Sequence, residues 1–199
     1  SLLIIDIQKT RGLTNIYLNN ERLDNKLINI QHNLLLKRLN YIINKYEYLN
    51  TNKQLSLIQS ELLFIKKNIN IYSHQRIFYK YTLLIDSLMS LVNITSYNNN
   101  LHKDVNIVGK ILMELLINEI PFTIENFGNA RGITAGNLVQ NQNSLTKINN
   151  ISFYNKLIYL DMKKINIKLR NLVKFDNKFS SDLKKNIKIL EQSSYDFIT

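Results

Sequence analysis

The sequence predicts an all-α protein, an up-and-down bundle of long amphipathic helices in which the first and last are the longest. Two observations carry this. Among 199 residues there are one Pro and five Gly, too few turn formers for a sandwich or barrel that reverses direction roughly every ten residues. Apolar residues also recur at intervals of three and four along most of the chain, the period of one helix face. With 45% hydrophobic residues, the chain has enough apolar surface to bury a core.

From Leu13 to Tyr48 the apolar positions Leu13, Ile16, Leu23, Leu27, Ile30, Leu34 and Tyr41 mark one long helix. Asn50-Thr51-Asn52 lacks apolar residues and offers N-caps, so a second helix starts there and runs to about Ile69. Ser73 caps a third helix, with the seam Phe78, Tyr81, Ile85, Leu88 and Val92, and Asn98-Asn99-Asn100 ends it. A fourth helix covers Asp104 to Asn118, and Pro121, suited to a first turn, starts a fifth that reaches Gln140. After the polar stretch Asn141-Gln142-Asn143-Ser144, a heptad-like stripe follows through Ile158, Met162, Ile165, Leu169, Leu172, Phe179, Leu183, Ile187 and Leu190. A last helix of about 50 residues would be roughly 75 Å long. With the long first helix it would make a rod that enters and leaves the domain at one end, a geometry suited to carrying small displacements through a membrane. A plain coiled-coil adaptor has the same periodicity.

The chain is read as one helical domain over residues 1–199, excised from a larger protein, because Ser1-Leu2-Leu3-Ile4-Ile5 opens directly in helical pattern. No apolar run approaches the roughly 18 to 20 residues of a membrane span. The formal charge of +11 raises nucleic acid as a partner. The basic residues are scattered, however, with no block longer than Lys66-Lys67, Lys163-Lys164 and Lys184-Lys185, which favours a solvated surface over a nucleic-acid footprint. The absence of Cys excludes thiol catalysis, thiolate metal sites and disulfides, and suits either cytoplasm or periplasm. His32, His74 and His102 lie far apart without a second ligand at metal spacing, and read as surface or capping residues. With dispersed carboxylates and no phosphate-loop, dinucleotide or nucleophile motif, the sequence predicts no enzyme, no cofactor and no metal. Tyr72, Tyr79 and Tyr81 cluster near Arg76, a pattern of seam packing more often than of a polar cavity.

The most informative feature is an internal echo: Thr10-Arg11-Gly12-Leu13-Thr14 and Ala130-Arg131-Gly132-Ile133-Thr134. A mid-helix Gly costs about 1 kcal/mol relative to Ala, and Gly128, Gly132 and Gly136 fall at four-residue spacing. Close approach of another helix, or of a ligand, would compensate. Two guanidiniums drawn together beside such a face need an anion or carboxylate between them. Arg11 and Arg131 are therefore candidate anion ligands, with Thr14 and Thr134 as hydroxyl donors. The alternative is that both arginines pair with Asp6, Glu114, Glu119 or Glu125 and only fix helix register.

At these residues the chain resembles the nitrate- and nitrite-sensing (NIT) domain of bacterial chemoreceptors and sensor kinases. Ile7-Gln8-Lys9-Thr10-Arg11-Gly12-Leu13-Thr14 is similar to that family's Leu-Gln-x-Glu-Arg-Gly-x-Ser opening. Arg76 with Tyr81-Thr82-Leu83-Leu84-Ile85 is like its Tyr-x-x-Leu-Ile segment, and Glu125 through Gly132 is like its Glu-x-x-Gly-x-x-Arg segment. The resemblance implies a periplasmic, helical sensor domain of an inner-membrane receptor that holds a small anion such as nitrate, nitrite or a carboxylate. It carries Arg11 and Arg131 over as ligand-binding residues, with Gly12 and Gly132 beside them and Arg76 and Tyr81 as further positions. It also implies a homodimer through the terminal helices, signalling by helix displacement, and no nucleic-acid partner. A ligandless helical interaction or dimerisation module is the alternative, ahead of a basic nucleic-acid-binding bundle.

Overall fold

The computed structural model describes residues 2–19, 25–45, 52–101, 103, 106–140 and 145–175, with 185, 186, 188, 189 and 192 near the C terminus. Among these residues every regular element is a helix, and the all-α bundle is observed. The helices are α1 (Leu2–Asn19), α2 (Asn25–Lys45), α3 (Asn52–Asn68), α4 (His74–Asn98), α5 (Ile107–Glu114), α6 (Ile120–Gln140) and α7 (Leu145–Phe175). A π-helical turn, Leu115–Glu119, joins α5 to α6. The chain divides into two compact units, one comprising residues 1–92 and 131–147, the other 93–130 and 148–199.

In the first unit α1 packs along α2 and α2 along α3. The core joins Ile4 and Ile7 of α1, Leu35 and Leu39 of α2, Leu62 and Ile65 of α3, and Ile77, Leu84, Ile85 and Leu88 of α4. The single rod expected from Leu13 to Tyr48 is instead two helices. α1 ends at Asn19, whose side-chain amide donates to the Asn15 carbonyl at 2.7 Å, supplying a terminal carbonyl with a donor. The face expected to be buried on α2 is also corrected. Leu27, Ile30, Leu34 and Tyr41 are exposed, and Ile28, His32, Leu35 and Leu39 face the core. The run Leu34-Leu35-Leu36 offers apolar side chains in adjacent directions, so periodicity fits either face.

α3 and α4 fall close to their expected spans. Ser73 Oγ accepts the Arg76 backbone N–H at 3.3 Å, the capping role expected of it. Of the α4 seam, Tyr81, Ile85 and Leu88 are buried, while Val92 is exposed. Among the described residues α4 is also the one helix long and apolar enough to cross a membrane. That corrects the expectation that no such stretch exists, and the reason is packing: its apolar side chains line the core of the first unit.

In the second unit, Leu115, Ala130, Ile158, Met162, Ile165 and Leu172 form the core. Asn106 caps α5, its side-chain oxygen accepting from Gly109 N–H at 2.9 Å. No loop separates the expected fourth and fifth helices. Pro121 lacks an N–H and its ring would clash with the carbonyl four residues back, which in this sequence belongs to Ile117. The backbone accommodates this by widening, and Ile120 N–H donates to Leu115 O, five residues back. The wider turn also brings Glu114 and Glu119 to one cation: Lys168 Nζ lies 2.8 Å from Glu114 and 2.6 Å from Glu119. Burial works against the Lys168 charge, and the two glutamates more than offset it, holding its pKa above the usual lysine value. The last helix reaches Phe175 in one piece. Phe179, Leu183, Ile187 and Leu190 of the expected stripe lie outside the described residues.

Candidate functional site

α1 has two working faces, and the helical period decides what each carries. Ile4, Ile7, Arg11 and Thr14 recur at three and four and point into the first unit's core. Lys9, Gly12, Leu13 and Ile16 recur in the same way on a second face. Arg11 and Gly12, adjacent in sequence, are turned about 100° apart and meet different environments.

On the core face, Arg11 is only 1% exposed. Its Nη1 donates to Thr82 Oγ1 at 2.8 Å, and its guanidinium carbon lies 4.7 Å from the centroid of the Phe78 ring. Thr82 passes the contact on to the backbone, donating to the Phe78 carbonyl at 3.2 Å. Asp86, one turn further along α4, has its pKa raised by desolvation, and the Arg11 charge works in the opposite direction.

Beside Arg11 runs a chain of buried polar groups. His32 Nδ1–H donates to the Ile28 carbonyl at 3.0 Å, which leaves Nε2 to accept the Tyr81 hydroxyl at 2.6 Å. With that proton committed, the Tyr81 oxygen accepts from Thr14 Oγ1 at 3.3 Å. Burial drives the His32 pKa down from 6.5 to about 4, against the opposing Ile28 hydrogen bond and with a small contribution from Lys66. Burial likewise pushes the Tyr81 phenol above its ordinary value, with the Thr14 hydrogen bond opposing it. Both groups are held neutral, and neutral partners satisfy each other in a core where a charge would be costly. His32 is therefore a core residue, not the surface or capping residue expected.

The second face of α1, with Gln31 of α2 and Arg131, Gly132 and Ala135 of α6, lines a cavity of about 290 Å³ that is open to solvent. Lys9 and Arg131 are exposed, Gly132 is buried, and the other lining residues are half-buried. The lining is predominantly apolar and includes no carboxylate. Neither cation has a carboxylate partner among the described residues. The carboxylates considered as arginine partners are largely engaged elsewhere: Asp6 with Arg38, Glu114 and Glu119 with Lys168, while Glu125 is buried.

The two glycines of the echo do different work. A Cβ on Gly132 would stand 2.5 Å from Phe78 Cε2, so that glycine admits the ring which also covers Arg11. Its carbonyl accepts from Asn15 Nδ2 at 2.8 Å, and a Cβ on Gly136 would meet the same amide at 2.8 Å. A Cβ on Gly12 meets nothing within 4 Å. Gly132→Ala is therefore expected to destabilise the protein by about 1–3 kcal/mol through overpacking, and Gly12→Ala to stabilise it by up to about 1 kcal/mol through helix propensity. Urea unfolding of the two variants checks both signs.

The eight residues singled out in the sequence separate into groups. Gly12, Gly132 and Arg131 line the cavity. Arg11, Thr14 and Tyr81 belong to the buried polar layer. Thr134 is half-buried on α6 and does not line the cavity. Arg76 is exposed in the first turn of α4, its guanidinium carbon 4.0 Å from the Tyr72 ring centroid. Lys9, Gln31, Leu13, Ile16 and Ala135 were not singled out for the cavity. The spacing of Lys9, Gly12, Leu13 and Ile16 was the available signal, being a helix face with a gap in it at Gly12. Among the described residues no group of His, Asp or Glu could hold a metal ion. Compared with known proteins, the chain matches no family model, no curated protein sequence and no solved structure.

Proposed function

We propose that the chain is a ligand-sensing helical domain that binds a small anion in the cavity between α1, α2 and α6. The observation that carries this is the pair Lys9 and Arg131 facing one cavity that no carboxylate lines. Two cations at one concave site attract a counter-charge, and the planar guanidinium suits a carboxylate or other oxyanion. The resemblance to the NIT family supports the same class of ligand and the same α1 and α6 segments. On that reading the parent protein is a bacterial transmembrane receptor with this domain in the periplasm, working as a homodimer through its terminal helices. Ligand binding then shifts the packing of α1 by favouring one arrangement over another.

The site residues of this proposal are Lys9, Arg131 and Gln31, with Gly12 and Gly132 as wall. Arg11 supports α1, the helix that carries Lys9 and Gly12. In a thermal-shift series with nitrate, nitrite and small carboxylates at fixed ionic strength, at least one anion is expected to raise the melting temperature. A ligand at 100 times its Kd adds about 2.7 kcal/mol of stability. The shift should vanish in Lys9→Ala and Arg131→Ala, both exposed positions whose loss leaves the fold intact. No shift with any anion would overturn the proposal. A ligandless interaction module is the second reading, favoured by the exposed stripe Leu27, Ile30, Leu34 and Tyr41 on α2.

A further inference from the structure

On the reading of this cavity as an anion site, we infer that its ligand is a monocarboxylate with an apolar body, a short-chain fatty acid or an aromatic acid, and not a bare inorganic oxyanion. Size is the first ground. At a water's share of liquid volume, about 290 Å³ corresponds to roughly ten water volumes. A four-atom oxyanion leaves most of that space to water lying against apolar walls. A carboxylate with a body of several carbons fills it.

The chemistry of the lining is the second ground. Leu13, Ile16 and Ala135 offer only hydrocarbon, and Gly12 and Gly132 offer backbone without side chains. The charged groups are Lys9 and Arg131, both exposed, while Leu13, Ile16 and Ala135 are half-buried. This is an amphiphilic lining, with solvated cations for a head group and hydrocarbon for a body. A site for a bare oxyanion would instead surround it with donors, because a small anion stripped of water needs each of its oxygens satisfied. Here Gln31 is the one uncharged polar side chain of the lining.

Gly12 is the third ground. Its missing Cβ opens onto space, so nothing in the packing of the protein requires glycine there. A side chain at this position would occupy the volume assigned to the ligand body.

The test is calorimetric titration of the 199-residue chain with acetate, butyrate, hexanoate, benzoate, nitrate and hexanol at fixed ionic strength, repeated with Gly12→Leu and Arg131→Ala. Each methylene from acetate to hexanoate is expected to tighten binding about fourfold, roughly 250-fold over the four added. Hexanol is expected to bind far more weakly than hexanoate, and Arg131→Ala to reduce the difference. Gly12→Leu, with its melting temperature kept or raised, is expected to abolish hexanoate binding. Equal affinities for nitrate, acetate and hexanoate, all lost in Arg131→Ala, would overturn the inference while leaving the anion site standing. Hexanoate binding unchanged in Gly12→Leu would overturn its placement in this cavity. Failure of every anion to bind would overturn the anion site itself.

Discussion

Truncation of Arg11 to alanine is expected to lower the unfolding free energy by about 2–4 kcal/mol, while the same change at Arg131 moves it by less than about 0.5 kcal/mol. The two residues occupy matching places in the sequence echo and opposite places in the fold. Arg11 is among the largest fully buried side chains, and Arg131 is exposed. Removing the Arg11 stem leaves a hole under Phe78 and beside Thr82 that the packed core closes only in part. The Thr82 hydroxyl keeps its bond to the Phe78 carbonyl, so truncation leaves no orphaned donor at Thr82. Arg11→Met should therefore recover most of the deficit, since a well-packed apolar replacement for a buried charge is often neutral. Urea midpoints of the three variants decide it. A deficit in Arg11→Met as large as in Arg11→Ala would show that the charge, through Thr82 and Asp86, carries the stability.

The second large effect is on acid stability. In the folded protein His32 refuses a proton until about pH 4, whereas in the unfolded chain it accepts one near 6.5. Below 6.5 the unfolded state therefore binds more protons than the folded state, and stability falls as pH falls. The contribution is full above the unfolded value, lost progressively toward pH 4, and amounts to about 3 kcal/mol across the window. Other groups titrate in acid, so the informative quantity is the difference between wild type and His32→Gln. The wild type is expected to lose about 3 kcal/mol more than the variant between pH 7.5 and pH 4, measured by denaturant unfolding. Identical acid profiles would remove His32 as the responsible group.

Much of the architecture is legible in the sequence because helix starts and stops are local chemistry. Ser73 and Asn99 mark the two ends of α4 through their own side chains, Asn99 Nδ2 donating to the Thr95 carbonyl at 2.8 Å. The π turn is less legible: Pro121 announces a disturbance, but no local pattern says whether the chain breaks or widens, nor that Glu119 then meets Lys168, 49 residues away. The site divides in the same way. The Arg-Gly echo points to α1 and α6, and there Gly132 meets Phe78 closely while Gly12 faces open space. Which arginine turns inward is set by Phe78 and Thr82 on another helix, and no local pattern records that. His32 is the clearest case. Set among polar neighbours on α2 it looks solvated, and its burial is tolerable because the Ile28 carbonyl takes one ring nitrogen and Tyr81, 49 residues away, the other.

That pairing also settles a question of identity for α2, apart from how strongly it holds the fold. The helix carries two apolar stripes, Ile28, Leu35 and Leu39 inward and Leu27, Ile30 and Leu34 outward. By hydrocarbon content the two are near equivalents, and hydrophobic burial is indifferent to direction. What separates them is one imidazole on the inner stripe that finds a hydroxyl at 2.6 Å. Rolled by one residue's angle, the helix would bury about as much hydrocarbon but take away the 2.6 Å acceptor of the Tyr81 hydroxyl, leaving it the longer contact with Thr14 at 3.3 Å. His32 acts as an address label: it specifies which of two interchangeable sides belongs inside.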